Sequence, residues 1–156
     1  MASAAGAAVG RTSTATATLG DDCSVTIFAV NRDLHEGIEL IAAKHGFSMY
    51  PIMCKLFGAK YVEAPIKPDF SSDLQAILAA ITPQTRLIFI TNPANPLGTV
   101  VTQAEMDAFM AAVPEHVIVA FDEAYIDFAD EQPDTLQYVK QGKNVILLRT
   151  VSKAYG

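Results

Sequence analysis

The chain has 156 residues, 51% of them hydrophobic, and a formal net charge of -6. That is enough apolar mass for one sizeable core, and too acidic a balance for a broad surface that binds nucleic-acid phosphates or anionic lipid. No run approaches the roughly 18 to 20 apolar residues of a membrane-spanning helix, and neither the two distant cysteines, Cys23 and Cys54, nor the scattered His35, His45 and His116 have metal-ligand or disulfide-framework spacing.

The opening "MASAAGAAVGRTSTATATLGDD" is rich in Ala, Ser and Thr, with one arginine and no acid before Asp21. Residues 1–30 are therefore expected to be a low-complexity, disordered leader of uncertain origin. One arginine is too few for an organellar transit peptide, and the apolar core of a secretory signal is missing. With no such address, and with cysteine usage suited to a reducing compartment, the expected location is cytoplasmic.

From about Asn31 onward, helical stretches alternate with short β-branched runs, the pattern of βαβ units. The expected fold class is α/β, a mostly parallel sheet with helices on both faces. The spacing predicts a helix of about two turns over "EGIELIAAK" (36–44), then a second over "FSMYPIMCKLFG" (47–58) despite Pro51, with Gly58 suited to a left-handed cap. A strand, "AKYVEAP" (59–65), follows. Ser72 and Gln75 have the spacing of a capping box that would open the helix "SDLQAILAAI", and Pro83 lies beyond its end. Next come the strand "RLIFIT", a Pro-rich loop, and the helix "TQAEMDAFMAAV", which Thr102 and Glu105 would cap. The last elements are the strand "HVIVAF", the helix "DTLQYVKQ" closing at Gly142, and the strand "NVILLR".

Three strand exits are polar: "RLIFIT" leads to "NPANPLGT", "HVIVAF" to "DEAY", and "NVILLR" to "TVSK". Ligands of open α/β sheets bind outside the carboxyl ends of the strands, so Asn95, Asp122, Tyr125, Ser152 and Lys153 are expected to converge there. Neither GxGxxG nor GxxxxGK[ST] occurs, which disfavours a generic nucleotide-binding domain. An amide, a carboxylate, a phenol, a hydroxyl and an amine together suit pyridoxal phosphate. Its aldehyde needs a lysine (Lys153), its ring nitrogen a carboxylate (Asp122), its ring oxygen donors (Asn95, Tyr125), and its phosphate hydroxyls (Ser152, Thr150). Taken singly, each has a bland alternative: Asp122 opening a turn, Asn95 in a turn with Pro96, Lys153 in solvent. Their order after three successive strands favours the joint reading.

The strings "TNPANPLGT", "FDEAYIDF" and "RTVSKAYG", with "HGFSMYPI", "GAKYVEAP" and "LAAITPQTRLIFITNP" upstream, resemble the fold-type I aminotransferases of class I/II, and above all their subfamily acting on histidinol phosphate. The likeness covers roughly residues 35 to 156. It implies that Lys153 carries the cofactor and moves the substrate proton, that Asp122 pairs with the pyridinium, that Asn95 and Tyr125 bond the ring oxygen, that Ser152 contacts the phosphate, and that Phe47 stacks on the ring. A core aromatic is Phe47's alternative. It further implies amino exchange between histidinol phosphate and 2-oxoglutarate in histidine biosynthesis, and a homodimer. Residues 31–156 would be part of the large cofactor-binding domain, with no C-terminal small domain.

Three departures from the family pattern shape further expectations. The phosphate-clamping arginine beyond "SKAYG" and the carboxylate-binding arginine of the small domain are missing, so a truncated product is expected. Asp33 of "DLHEGIEL" stands where the family has glycine near the phosphate, although Glu36 fits. The direct passage from "EGIELIAAK" to "HGFSMYPI" suggests a deleted strand. An aromatic amino-acid aminotransferase, a phosphothreonine decarboxylase, and a noncatalytic fragment that binds the cofactor weakly or pairs with other chains remain open alternatives.

Overall fold

Alternation along the strands decides which layer each apolar side chain enters. The computed structural model describes residues 37–150 and 152–155, with the backbone of 7–9. Six strands form one sheet: β1 (Ala7–Val9), β2 (Glu39–Ala43), β3 (Lys60–Ala64), β4 (Thr85–Thr91), β5 (Ile118–Asp122) and β6 (Val145–Leu148). Their spatial order is β1-β6-β5-β4-β2-β3. The pairs β3–β2, β2–β4, β4–β5 and β5–β6 are parallel, and β1 runs antiparallel to β6. β1 falls within the expected leader; the other residues of that stretch lie outside the described ones.

Among the described residues, four α-helices complete the layers: α1 (Met49–Phe57), α2 (Leu74–Ala79), α3 (Gln103–Ala112) and α4 (Leu136–Lys140). Ile41, Ile88, Ile90, Val119, Phe121 and Leu147 point to one face, where Ile77 of α2, Met106 and Phe109 of α3 and Tyr138 of α4 pack on them. Leu40, Ala42, Leu87, Phe89 and Ala120 point to the other, against Tyr50 and Cys54 of α1. The α/β class with helices on both faces is thus what the chain adopts. Among the described residues no helix is long and apolar enough to cross a membrane.

Local signals mostly hold. Thr102 and Glu105 form both halves of a capping box on α3, and α1 closes at Gly58 with φ 75°, whose N–H bonds the Cys54 carbonyl. Pro51 sits in the first turn of α1, where the absent N–H has no helical partner to lose.

Three expectations are corrected. The segment expected as the helix "EGIELIAAK" contains β2 instead. Its residues Glu39–Leu40–Ile41–Ala42 are all buried, because the strand lies between β3 and β4 with both faces covered, and a short continuous apolar run fits either element by pattern. The supposed strand deletion falls with it, since the strand that leads into "HGFSMYPI" is β2 itself. The cap of α2 is Asp73, whose carboxylate accepts from the Gln75 and Ala76 N–H groups; Ser72 instead bridges to Ile66. Asp33 and Glu36 lie outside the described residues.

Candidate active site

Four adjacent parallel strands end on the same edge of the sheet, and the residues just beyond them meet. Phe47 after β2, Thr91 and Asn95 at and after β4, Asp122, Ala124 and Tyr125 at and after β5, and Lys153 after β6 line one cleft. It holds about 300 Å³ of empty space, its mouth included. Asn95 and Tyr125 also line a neighbouring open depression of about 860 Å³ on the same measure.

Each residue arrives by a local device. Phe47 follows the turn out of β2, where a Cβ on Gly46 would stand 3.0 Å from the Ala43 carbonyl oxygen, so glycine suits the close approach. Asn95 rides a loop that Asn92 closes at its base. The buried Asn92 amide accepts from the Val101 N–H at 2.7 Å and donates to the Val101 carbonyl at 3.4 Å, while its own N–H bonds the Asp122 carbonyl at 2.9 Å. Both Asn–Pro bonds of that loop are cis. Lys153 sits on a turn in which the Ser152 N–H donates to the Thr150 hydroxyl at 3.2 Å and the two hydroxyls lie 2.8 Å apart.

Asp122 is the buried charge of the cleft, with 6% of its surface exposed. Its Oδ2 accepts from the Tyr50 hydroxyl at 2.7 Å, and its Oδ1 from the Ala124 N–H at 3.2 Å. Burial pushes its carboxyl above the usual range, and those two donors offset only part of the shift. Such a group is costly to ionise alone and is stabilised by a cationic N–H placed against it. Lys153 is exposed, and among the described residues neither its ammonium nor the Asn95 amide has a hydrogen bond or ion pair. The donor set therefore fits a ring with a protonated nitrogen at one end and a lysine-reactive carbon at the other.

Five of the seven residues singled out from sequence, Phe47, Asn95, Asp122, Tyr125 and Lys153, share the cleft. Ser152 and Thr150 do not line it, and their hydroxyls bond each other. Sequence reasoning missed Tyr50. Its hydroxyl also lies 2.8 Å from Thr91 Oγ1, its ring stacks on Phe89 at 4.2 Å, and Phe47 meets it edge-on at 5.7 Å. One tyrosine thus supports both the carboxylate and the aromatic wall. A tyrosine inside an amphipathic helix reads as core, so only the position of α1 across from β5 could have revealed it.

Comparison with known proteins gives this cleft its context. A family model described as aminotransferase class I and II matches residues 11–156. The chain belongs to this family. Its members use pyridoxal phosphate, and the generic nucleotide-binding alternative is set aside. The chain is 64% identical over 123 residues to a histidinol-phosphate aminotransferase of Akkermansia muciniphila, covering 79% of this chain and 34% of that one. It is 46% identical over 121 residues to an aromatic amino acid aminotransferase of Rhodococcus erythropolis, covering 78% and 34%. It spans about a third of the length of these curated relatives. Among solved structures, a histidinol-phosphate aminotransferase from Sinorhizobium meliloti in complex with pyridoxal-5'-phosphate aligns with a TM-score of 0.75 at 29% identity, covering 88% of this chain and 38% of that one. An Escherichia coli aminotransferase aligns with a TM-score of 0.76 at 26% identity, covering 87% and 35%.

Proposed function

We propose that this chain carries the cofactor half of an aminotransferase site that binds pyridoxal phosphate and exchanges the amino group of histidinol phosphate with 2-oxoglutarate, giving imidazole-acetol phosphate and glutamate. The observation that carries the reading is the shared cleft of Phe47, Asn95, Asp122, Tyr125 and Lys153. In this reading residues 31–156 are part of a large cofactor-binding domain. The assembly is a cytoplasmic homodimer working in histidine biosynthesis. When bound, the cofactor supplies an electron sink for the substrate α-carbon and holds the amino group between two half-reactions.

The chain's own residues have separate tasks. Asp122, held by Tyr50 and the Ala124 N–H, accepts a hydrogen bond from the protonated ring nitrogen and keeps it protonated. Lys153 Nζ anchors the cofactor and then moves the proton at the substrate α-carbon. The Asn95 amide and the Tyr125 hydroxyl donate to the ring oxygen, and Phe47 covers a ring face. Ser152 and Thr150 offer hydroxyls to the phosphate, which requires their mutual hydrogen bond to re-aim.

The relatives leave the substrate divided between histidinol phosphate and aromatic amino acids; the greater identity to the first supports it. The test is to titrate the chain with pyridoxal phosphate, reduce with borohydride and map the modified residue, with Lys153→Ala as control. A protein-specific visible band with label confined to Lys153 supports the reading. Label spread over many lysines and unchanged by the substitution would sink it. Amino transfer from histidinol phosphate, compared with that from tyrosine and phenylalanine, then decides the substrate.

A further inference from the structure

Glu123, next in sequence to Asp122, is 1% exposed, yet it does not line the cleft. Both its carboxylate oxygens are taken: the fully buried Thr135 hydroxyl donates to Oε1, and Arg149 Nε donates to Oε2 at 2.6 Å. This cluster joins the exit of β5, the residue before α4 and the exit of β6. A buried ion pair is weak support for stability alone, since apolar residues of like volume pack as well. Its meaning lies in where it stands.

Backbone pairing between β5 and β6 runs out at Leu148, whose carbonyl accepts from the Glu123 N–H at 2.8 Å. Arg149 follows at once, and Lys153 comes four residues later on the Thr150–Ser152 turn. Among the described residues, Arg149 to Glu123 is the last polar link between the lysine turn and the strand that ends in Asp122. Arg149 is half exposed, so its charge needs no partner; the buried Glu123 does. We propose that the Glu123–Arg149 pair is a positioning device that holds Lys153 at the cleft it shares with Asp122. The proposal rests on the reading of Lys153 as the cofactor-bearing lysine.

The test compares parent, Arg149→Met, Arg149→Lys and Glu123→Gln/Arg149→Met chains by titration with pyridoxal phosphate, borohydride trapping at Lys153, and thermal melting. Arg149→Met leaves Glu123 buried without its cation and should lower the melting temperature. The double variant removes that unpaired charge and should melt near the parent. Trapping at Lys153 should need on the order of tenfold more pyridoxal phosphate in both, as expected for a group displaced by a fraction of an ångström. Arg149→Lys should recover part of the loss. A double variant that traps like the parent would show the pair to be structural only and overturn the proposal. Backbone hydrogen exchange without cofactor gives an independent reading: residues 149–155 should exchange faster in the double variant while β5 and β6 do not, and unchanged exchange there also overturns it. If the parent itself fails to label Lys153, the functional reading fails, while the exchange result still decides the tether.

Discussion

Tyr50→Phe removes a single oxygen from beneath the cleft and leaves the ring stacked on Phe89, 4.2 Å between centroids and 16° from parallel. The hydroxyl has one hydrogen, which goes to Asp122 Oδ2 at 2.7 Å, so the Thr91 hydroxyl at 2.8 Å donates to it in turn. A hydrogen bond to an ionised group contributes about 1.5–3 kcal/mol, and one between neutral groups about 1 kcal/mol. The sign of the pH dependence follows from burial. Asp122 has its carboxyl raised, so its ionisation costs stability above the usual carboxylate value, and that cost shrinks as the pH falls below the raised value and is gone below the usual one. Tyr50 offsets part of that cost. The substitution should therefore hurt most at neutral pH and less on acidification. Urea unfolding of parent, Tyr50→Phe, Asp122→Ala and the double variant, repeated downward from about pH 8, isolates the pair. The expected coupling is about 2 kcal/mol at the upper end, falling toward about 1 kcal/mol as Asp122 protonates. A coupling that stays under about 0.5 kcal/mol at every pH would refute the claim that Tyr50 sustains the Asp122 carboxylate.

Asn92→Ala strips the buried Val101 N–H of its acceptor and should cost about 1–3 kcal/mol, with faster proteolysis of the loop bearing Asn95 and weaker capture of pyridoxal phosphate. The Lys67 ammonium and the α3 capping box hold Glu105 down to about 2. Its contribution is present above the usual glutamate value and lost as the pH falls toward 2. Glu105→Gln should thus flatten the acid limb of the stability profile below about pH 4.5 while leaving that above pH 7 parallel to the parent; an unchanged acid limb contradicts the pairing.

Why some of this was legible in the sequence and some was not is a matter of distance along the chain. Capping boxes and strand exits are written within a few residues, so α3 and the polar runs after β4, β5 and β6 could be read directly, and with them Asn95, Asp122, Tyr125 and Lys153. β2 was not legible. With Leu40 and Ala42 packing to one face and Ile41 to the other, it lacks the polar alternation that marks a half-buried strand. Asp73, one residue past Ser72, took the cap of α2 because a carboxylate there reaches two N–H groups. Tyr50 and Asp122 are 72 residues apart, and Glu123 and Arg149 are 26 apart. Such partners become visible only once the order of the strands is known.

Buried charge by itself does not mark the site, and the opposite edge of the sheet shows why. Glu39, at the start of β2, is 7% exposed, nearly as buried as Asp122. Its Oε1 takes the Lys60 ammonium at 2.7 Å, and its Oε2 takes the hydroxyls of Thr82 and Thr85. The Lys60 hydrogen bond first, and then the Thr82 hydroxyl, draw its carboxyl below the usual range. Asp122 moves the other way. Burial outweighs its two donors, neither of them a cation, and its carboxylate borders a cleft in which the Lys153 ammonium and the Asn95 amide are without partners among the described residues. The two edges hold similar residue types, but one network is closed within itself while the other keeps a carboxylate, an amine and an amide turned toward a shared space. That incompleteness is what a site built for a cationic ring requires, and it separates the carboxyl edge of this sheet from its amino edge more sharply than burial or charge does.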